Sequence, residues 1–157
     1  MGRRPKNGEN GSGYQRIDPA GRILVPREYR DRLGSDGVWL FPSPPFVVHP
    51  HVQLWSNSHL DKHISELETH IKAGKLWAEG MLSFTRLTAR HRRIDDVGRV
   101  VLPKAFIERA KIVDEVVVCG SSEVMVYSRE QFEARETEVA RQVKETPPEV
   151  QGLVWPL

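Results

Sequence analysis

The feature that most constrains this chain is an internal repeat. The segment RIDPAGRILVPREYR, residues 16–30, aligns with RIDDVGRVVLPKAFI, residues 93–107, at a constant offset of 77. The likeness continues at a different offset between VQLWS, residues 52–56, and VMVYS, residues 124–128. Such self-similarity predicts that one supersecondary unit occurs twice. Since a unit of roughly 60 residues buries little surface alone, we expect the two copies to share a core with each other or with other subunits.

Each copy has the pattern of a strand, a tight turn, a second strand and a short helix. DPAG, residues 18–21, and DDVG, residues 95–98, are typical of a type I turn. In such a turn Asp occupies the first position and Gly takes the left-handed position that closes a hairpin. The returning strand of each copy ends at a proline, Pro26 or Pro103, which favours the start of a helix. In the first copy, Gly34 is expected to end that helix.

Two further strands and a longer helix follow in each copy. The predicted strands cover 37–41, 52–55, 115–119 and 123–127, and the predicted helices cover about 57–73 and 129–144. The chain is thus expected to be mainly β with helices, an α+β fold of two tandem units with helical flanks. The predicted divisions are an N-terminal flexible arm (1–13), a first repeat (14–75), a connector (76–90), a second repeat (91–144) and a C-terminal tail (145–157).

Positive charge is concentrated around the two repeated motifs. Residues 1–35 carry eight Lys or Arg against four Asp or Glu, and residues 86–111 carry eight against three. The rest of the chain is net acidic, and the formal net charge is only +2. Two basic blocks on a nearly neutral chain favour a polyanionic partner.

The candidate binding residues lie at the two turns. Asp18 and Arg22 are four residues apart, as are Asp95 and Arg99, so each arginine emerges on the far side of its turn. A guanidinium there can bind phosphate or the edge of guanine in a bidentate manner, while the carboxylate holds its orientation. The alternative is a surface ion pair that only stabilises the turn, by about 0–1 kcal/mol. Arginines that precede the turns add positive charge: Arg16 in the first copy, and Arg92 and Arg93 in the second.

The chain resembles the MraZ proteins, two-copy members of the SpoVT-AbrB or AbrB-like group. The resemblance covers residues 14–143 and is carried by the paired Asp-x-x-x-Arg turns, by GRILVP and GRVVLP, and by EVVVCGSSEVMVYSREQFE. It implies tandem swapped-hairpin units, a double-split β-barrel in which strands of the two halves interleave, and a ring-shaped homo-oligomer. It also implies binding of double-stranded promoter DNA by Arg22 and Arg99.

The resemblance further implies a regulatory role. MraZ proteins repress the gene cluster for cell division and cell wall synthesis by binding repeated short G-rich boxes near their own promoter. Both copies of this chain retain the turn arginine, and we expect the first copy to contact bases. The arm with Arg3 and Arg4 departs from the family pattern; it is either a disordered extension or a segment that follows the phosphate backbone.

A metal-dependent enzyme is the first alternative, because the chain has six histidines. His59, His63 and His70 fall on one face of the predicted helix, and a spacing of four can suit zinc or nickel. No second cluster is evident, so we expect no metal and no cofactor, and histidines that are structural, exposed or at a subunit interface. Cys119, the only cysteine, is expected to be buried and inert. With no phosphate loop or nucleophile motif, the chain is predicted not to be an enzyme.

A protein-interaction module, antitoxin-like or purely a ring scaffold, is the second alternative. Antitoxins of the related group carry a long acidic C-terminal segment, whereas only about twelve residues follow the last predicted helix here. No segment approaches the ~20 apolar residues that span a bilayer, and the N-terminus lacks the apolar part of a secretory signal. We therefore expect a cytoplasmic, nucleoid-associated protein without a membrane partner.

Overall fold

The structure, a computed structural model, describes residues 13–120 and 123–154. The strands in these ranges are β1 (Tyr14–Arg16), β2 (Arg22–Leu24), β3 (Val38–Pro42), β4 (Val52–Trp55), β5 (Arg90–Arg92), β6 (Arg99–Val101), β7 (Glu115–Gly120) and β8 (Val124–Ser128). The helices are α1 (Arg27–Leu33), α2 (Asn57–Lys72), α3 (Leu76–Thr88), α4 (Lys104–Arg109), α5 (Arg129–Lys144) and α6 (Pro148–Val154). The predicted α+β class is confirmed.

The strands form a six-stranded antiparallel sheet and a separate two-stranded ribbon. The sheet has the order β1-β7-β8-β4-β3-β5, and the ribbon consists of β2 and β6. Both contain strands of the two copies: β1 of the first copy pairs with β7 of the second, β5 of the second with β3 of the first, and β2 with β6. The two copies are therefore interleaved in their hydrogen bonding.

The turns do not connect two strands that pair with each other, as the predicted hairpins require. β1 joins the six-stranded sheet and β2 joins the ribbon, and the second copy repeats this division with β5 and β6. Strands of three residues are too short for a stable isolated hairpin. Each strand instead gains hydrogen bonds and a buried face from another part of the chain.

One apolar core lies under the ribbon and is shared by both copies, which is one of the two arrangements that the repeat predicts. The ribbon contributes buried side chains from both strands, such as Ile23 and Val100, each 1% exposed. Helix α1 adds Tyr29 and helix α4 adds Phe106. Valines and leucines of β3, β4, β7 and β8 complete this core, so the ribbon, the sheet and the two short helices form one packed unit.

The two long helices agree with the sequence prediction and begin in the same way. The side chain of Ser56 accepts a hydrogen bond from the His59 N–H at 3.1 Å, and that of Ser128 accepts one from the Gln131 N–H at 3.1 Å. These serines are N-caps, which satisfy amide groups that have no partner inside the helix. Helix α1 likewise begins after Pro26 and ends at Gly34, as expected.

Most of the predicted connector, residues 76–90, is helix α3, which the sequence analysis did not predict. Ala78 and Leu82 on α3 pack against Leu67 of α2, and all three are buried. The predicted tail contains α6, which has no buried residues. Among the described residues, no helix has the length and apolar character needed to cross a membrane.

Candidate nucleic-acid interface

The first Asp-x-x-x-Arg turn is held by hydrogen bonds to one carboxylate. Asp18 Oδ1 accepts from the backbone N–H of Ala20 at 3.0 Å and of Arg22 at 2.8 Å. The N–H of Gly21 donates to the Asp18 carbonyl at 2.9 Å, and Gly21 has φ 83°. A left-handed conformation of this kind favours glycine, so the roles predicted for Asp and Gly in the turn are confirmed.

The second turn repeats this geometry. Asp95 Oδ1 accepts from the backbone N–H of Val97 at 3.1 Å and of Arg99 at 2.8 Å. The Gly98 N–H donates to the Asp95 carbonyl at 2.9 Å, and Gly98 has φ 91°. The sequence repeat thus corresponds to a repeat of local structure, down to individual hydrogen bonds.

In both turns the carboxylate also binds the arginine side chain. Nε of Arg22 lies 2.6 Å from Asp18 Oδ2, and Nε of Arg99 lies 3.1 Å from Asp95 Oδ2. The arginine backbone N–H, followed by the guanidinium, keeps the pKa of each Asp below its usual value. Both arginine side chains are 41% exposed. Within the described residues their Nη groups have no hydrogen-bond partner, so the outer edge of each guanidinium can receive one.

The ribbon places the two arginines on the same face. Arg22 lies opposite Val101, and Arg99 lies opposite Leu24. Side chains alternate along a strand and paired residues share a face, so these four point away from the core into which Ile23 points. Diagonal neighbours in an antiparallel pair have Cα atoms about 7–8 Å apart. The outer face therefore carries two arginines at this separation with two apolar side chains beside them.

Gln15 connects β1 to the ribbon, a role that sequence analysis did not predict. Its Nε2 donates to the Leu24 carbonyl and its Oε1 accepts from the Leu24 N–H, both at 2.7 Å. The equivalent residue in the second copy is Arg92, whose Nη1 donates to the His91 carbonyl at 3.0 Å. The only signal in the sequence was a polar side chain within the predicted strand before the turn; in the structure Gln15 is buried, and a buried polar side chain needs a partner.

The structure separates the other predicted arginines. Arg16 lies on β1 and Arg92 on β5, at opposite edges of the six-stranded sheet. Arg16 and Arg93 are exposed, and Arg92 is partly buried. Arg3 and Arg4 lie outside the described residues. Among the predicted arginines that the structure describes, the two turn arginines are the ones that the ribbon brings to one face.

The three histidines of α2 lie against two different aromatic residues. His59 meets the ring of Trp55 at a tilt and His63 meets it edge-on, with ring centroids 4.6 and 4.7 Å apart, in a groove of about 420 Å³. His70 instead lies on Trp77 at 4.9 Å. Burial lowers the pKa of His63. Across residues 13–120 and 123–154, no three His, Cys, Asp or Glu side chains are grouped to hold a metal ion.

The fold and the turns define a class of protein: an α+β protein of two interleaved copies whose paired Asp-x-x-x-Arg turns border a short ribbon. The family model of the MraZ protein, described as antitoxin-like, matches residues 87–151. The chain is also similar to proteins named transcriptional regulator MraZ. The one from Azorhizobium caulinodans is 27% identical over 134 residues, which cover 83% of this chain and 83% of that protein.

Other relatives of the same name agree. The protein from Thermoanaerobacter sp. is 28% identical over 121 residues, 74% of this chain and 78% of the relative. The protein from Desulfosudis oleivorans is 26% identical over 128 residues, 78% of this chain and 82% of the relative. The resemblance of the chain to the MraZ family is thus confirmed.

Proposed function

We propose that this chain is a sequence-specific DNA-binding transcriptional regulator and not an enzyme. The observation that carries the proposal is the outer face of the ribbon, where Arg22 and Arg99 lie side by side with their Nη groups unpaired within the described residues. The name of the relatives, transcriptional regulator, supports it. We further propose that the protein represses the division and cell wall gene cluster, including its own promoter. We also propose that it is located in the cytoplasm and associated with the nucleoid.

The ribbon has the dimensions and chemistry of a reader of the major groove. That groove is about 12 Å wide and admits a two-stranded ribbon. A guanidinium can bind O6 and N7 of guanine together, and an apolar side chain can contact the methyl group of thymine. Arg22 and Arg99 would supply the first contact. Val101, a large apolar side chain that is 41% exposed, would supply the second.

The aspartates would orient the arginines. A carboxylate on Nε fixes the plane of the guanidinium and leaves the Nη edge for the base. Asp18→Asn keeps Oδ1 as an acceptor for the turn but removes the acceptor for Arg22 Nε. We expect this variant to bind a scrambled duplex at least as well as wild type, because a negative charge is lost, and to prefer its promoter less.

We also propose that the chain assembles into a ring-shaped homo-oligomer. Helix α5 buries none of its residues completely, and Val139 and Val143 on it are 43% and 64% exposed. Leu153 on α6 is 83% exposed. Apolar side chains in such positions suit a contact between subunits. A ring would engage repeated boxes together and raise avidity by ~10²–10⁴ without new contacts.

The experiment that tests this function is binding to the DNA upstream of the chain's own gene, at several salt concentrations, beside a scrambled duplex. We expect tight binding to the promoter that weakens steeply with salt. Arg22→Ala should abolish the preference and leave the oligomer size unchanged. Arg141→Ala is the matched control, since Arg141 lies on α5 and is paired with Glu138 and Glu145.

Two outcomes would contradict the proposal. Equal, weak binding to both duplexes would indicate a nonspecific basic protein. A complete lack of DNA binding by a correctly assembled oligomer would favour the second candidate, a protein-interaction module or ring scaffold, for which the antitoxin-like description of the matched family is the supporting observation.

A further inference from the structure

Arg30 of the first copy lies against the turn of the second copy. A Cβ added to Gly98 would lie 2.6 Å from Nη1, 2.8 Å from Cζ and 3.0 Å from Nε of Arg30, so the guanidinium covers this glycine. Arg30 is on α1, which follows the first turn, whereas Gly98 belongs to the second. The guanidinium of one copy thus lies against the residue that precedes Arg99, the turn arginine of the other copy.

The first turn lacks this second cation. The residue equivalent to Arg30 at the offset of 77 is Ile107. Its Cδ1 lies 3.3 Å from the position that a Cβ would take on Gly21, the equivalent of Gly98. Each turn is therefore covered by the same position of the opposite copy, by a guanidinium at the second turn and by an alkyl group at the first.

The hydrogen bonding of Arg30 is incomplete. Its Nε is buried and has no partner among the described residues. No ion pair joins Arg30 to a carboxylate in residues 13–120 and 123–154. Buried donors in native structures are nearly always satisfied, and guanidinium donors match the oxygens of a phosphate in geometry and charge. A phosphate can be bound at the two Nη groups, which also have no hydrogen-bond partner among the described residues and, unlike Nε, are not buried.

We propose that Arg30 binds a phosphate of the DNA backbone at the second turn, where it lies against Gly98. The inference rests on the proposed DNA-binding function and adds a difference between the two copies: the second turn has a phosphate contact that the first turn lacks. With Arg30 on a phosphate, the second turn anchors the backbone in addition to presenting Arg99 to a base, whereas the first turn presents Arg22 alone. Phosphate contacts fix position and orientation, whereas base contacts carry sequence information.

The test exchanges the two equivalent residues. Arg30→Ile makes the second turn resemble the first, and Ile107→Arg makes the first resemble the second. Affinity for the promoter and for a scrambled duplex is measured from 50 to 200 mM salt. Each phosphate contact contributes about 0.9 to the slope of log affinity against log salt. The affinity of the wild type falls between 50 and 200 mM salt, and for Arg30→Ile this fall should be smaller by a factor of about 3.5 per bound chain, equally on both duplexes. Ile107→Arg should increase the loss by a similar factor.

Arg30→Lys and thermal unfolding separate binding from folding. Lysine keeps the charge, so this variant should retain the wild-type slope even if the contact is less well oriented. If Arg30→Ile unfolds, the slopes of Arg30→Lys and Ile107→Arg decide the question. A folded Arg30→Ile with the wild-type slope, or an Ile107→Arg without a steeper one, would overturn the role of Arg30. Failure of the wild-type protein to prefer its promoter would instead overturn the proposed function.

Discussion

Ile23 and Val100 lie directly opposite each other in the ribbon, and both are buried at 1% exposure. They are equivalent residues of the two copies, so the approximate twofold axis that relates the copies passes between them. The two turn arginines, Arg22 and Arg99, are their immediate neighbours in sequence. The position of both arginines therefore depends on the packing of one apolar pair in the core.

Substituting Gly37 and Gly34 by alanine compares two positions of similar φ, of which only Gly37 lies against strand β5. Their φ values are 97° and 89°, so an alanine at either position adopts a strained conformation, at about 1–2 kcal/mol. A Cβ on Gly37 would lie 2.9 Å from the Arg92 carbonyl oxygen, whereas one on Gly34 would have no atom within 4 Å. A backbone oxygen moves only with its strand. Gly37→Ala should therefore lower the free energy of unfolding by about 1–3 kcal/mol more than Gly34→Ala does. Urea unfolding measures both, and equal losses would contradict the contact.

Gln15→Ala should loosen the ribbon. The carboxamide satisfies both the N–H and the carbonyl of Leu24, and its loss leaves part-buried backbone groups unpaired. We expect a loss of about 1–3 kcal/mol in the free energy of unfolding and faster hydrogen exchange of the Leu24 amide. Gln142→Ala, on the exposed face of α5, is the control. Unchanged exchange at Leu24 in Gln15→Ala would show that these bonds do not hold the strand.

The stability of the protein should fall with pH below about 6.5 because of His51. This ring stacks on Tyr127 at 4.7 Å, and burial lowers its pKa from the ordinary 6.5. Nδ1 donates to the His49 carbonyl at 2.9 Å, and Nε2 accepts from Gln53 at 3.1 Å. A proton on Nε2 would face the amide donor of Gln53, whose oxygen already accepts from Trp55 Nε1 at 2.8 Å. The neutral ring is therefore the form that fits.

The sign of the effect follows from proton binding. The folded pKa is lower than the unfolded one, so the unfolded chain binds more protons as pH falls. The contribution of neutral His51 to the free energy of unfolding is fully present above pH 6.5 and is lost as the pH falls through the folded pKa. We expect the decrease in Tm between pH 7.5 and pH 5.5 to be smaller in His51→Gln than in wild type. His70→Gln, which removes an exposed histidine, should keep the wild-type decrease; an identical decrease in His51→Gln would contradict the assignment.

Cys119 should react slowly in the folded protein. Burial raises the pKa of its thiol to about 11. At pH 8 roughly one thiol in a thousand would then be ionised, against about one in four at an unperturbed pKa near 8.5. Because the thiolate is the nucleophile, alkylation by iodoacetamide should be about two orders of magnitude slower than in guanidinium chloride. Mass spectrometry follows the reaction, and similar rates in both conditions would show an accessible thiol.

Local signals in the sequence were sufficient for the turns and for most helices. Asp18 and Gly21 specify their turn through hydrogen bonds that span no more than four residues. Ser56 specifies the start of α2 through a hydrogen bond to a residue three positions later. Helix α3 was missed because its buried residues, Ala78, Leu82 and Thr85, include one small and one polar side chain. Their spacing of four and three residues was the signal that could have revealed it.

Relations between the copies could not be predicted from local patterns. The pairing of β1 with β7 brings together residues about 100 positions apart, such as Tyr14 and Val117. The resemblance to a family implied this interleaving, but no local pattern did. The contact of Arg30 with Gly98 also depends on how one copy lies against the other. The turn arginines, whose surroundings are local, could therefore be predicted from the sequence, whereas Arg30 and Gln15, whose partners lie far away in the chain or in the other copy, could not.

The exchange of strands between copies has an evolutionary consequence. A single copy would have to find the missing strands in a second, identical polypeptide, and every mutation would then appear on both sides of the symmetry axis. Joining the copies in one chain removes that restriction. Position 30 is arginine while the equivalent position 107 is isoleucine. Each half can thus carry its own substitutions, although neither half completes its hydrogen-bonded sheet without the other.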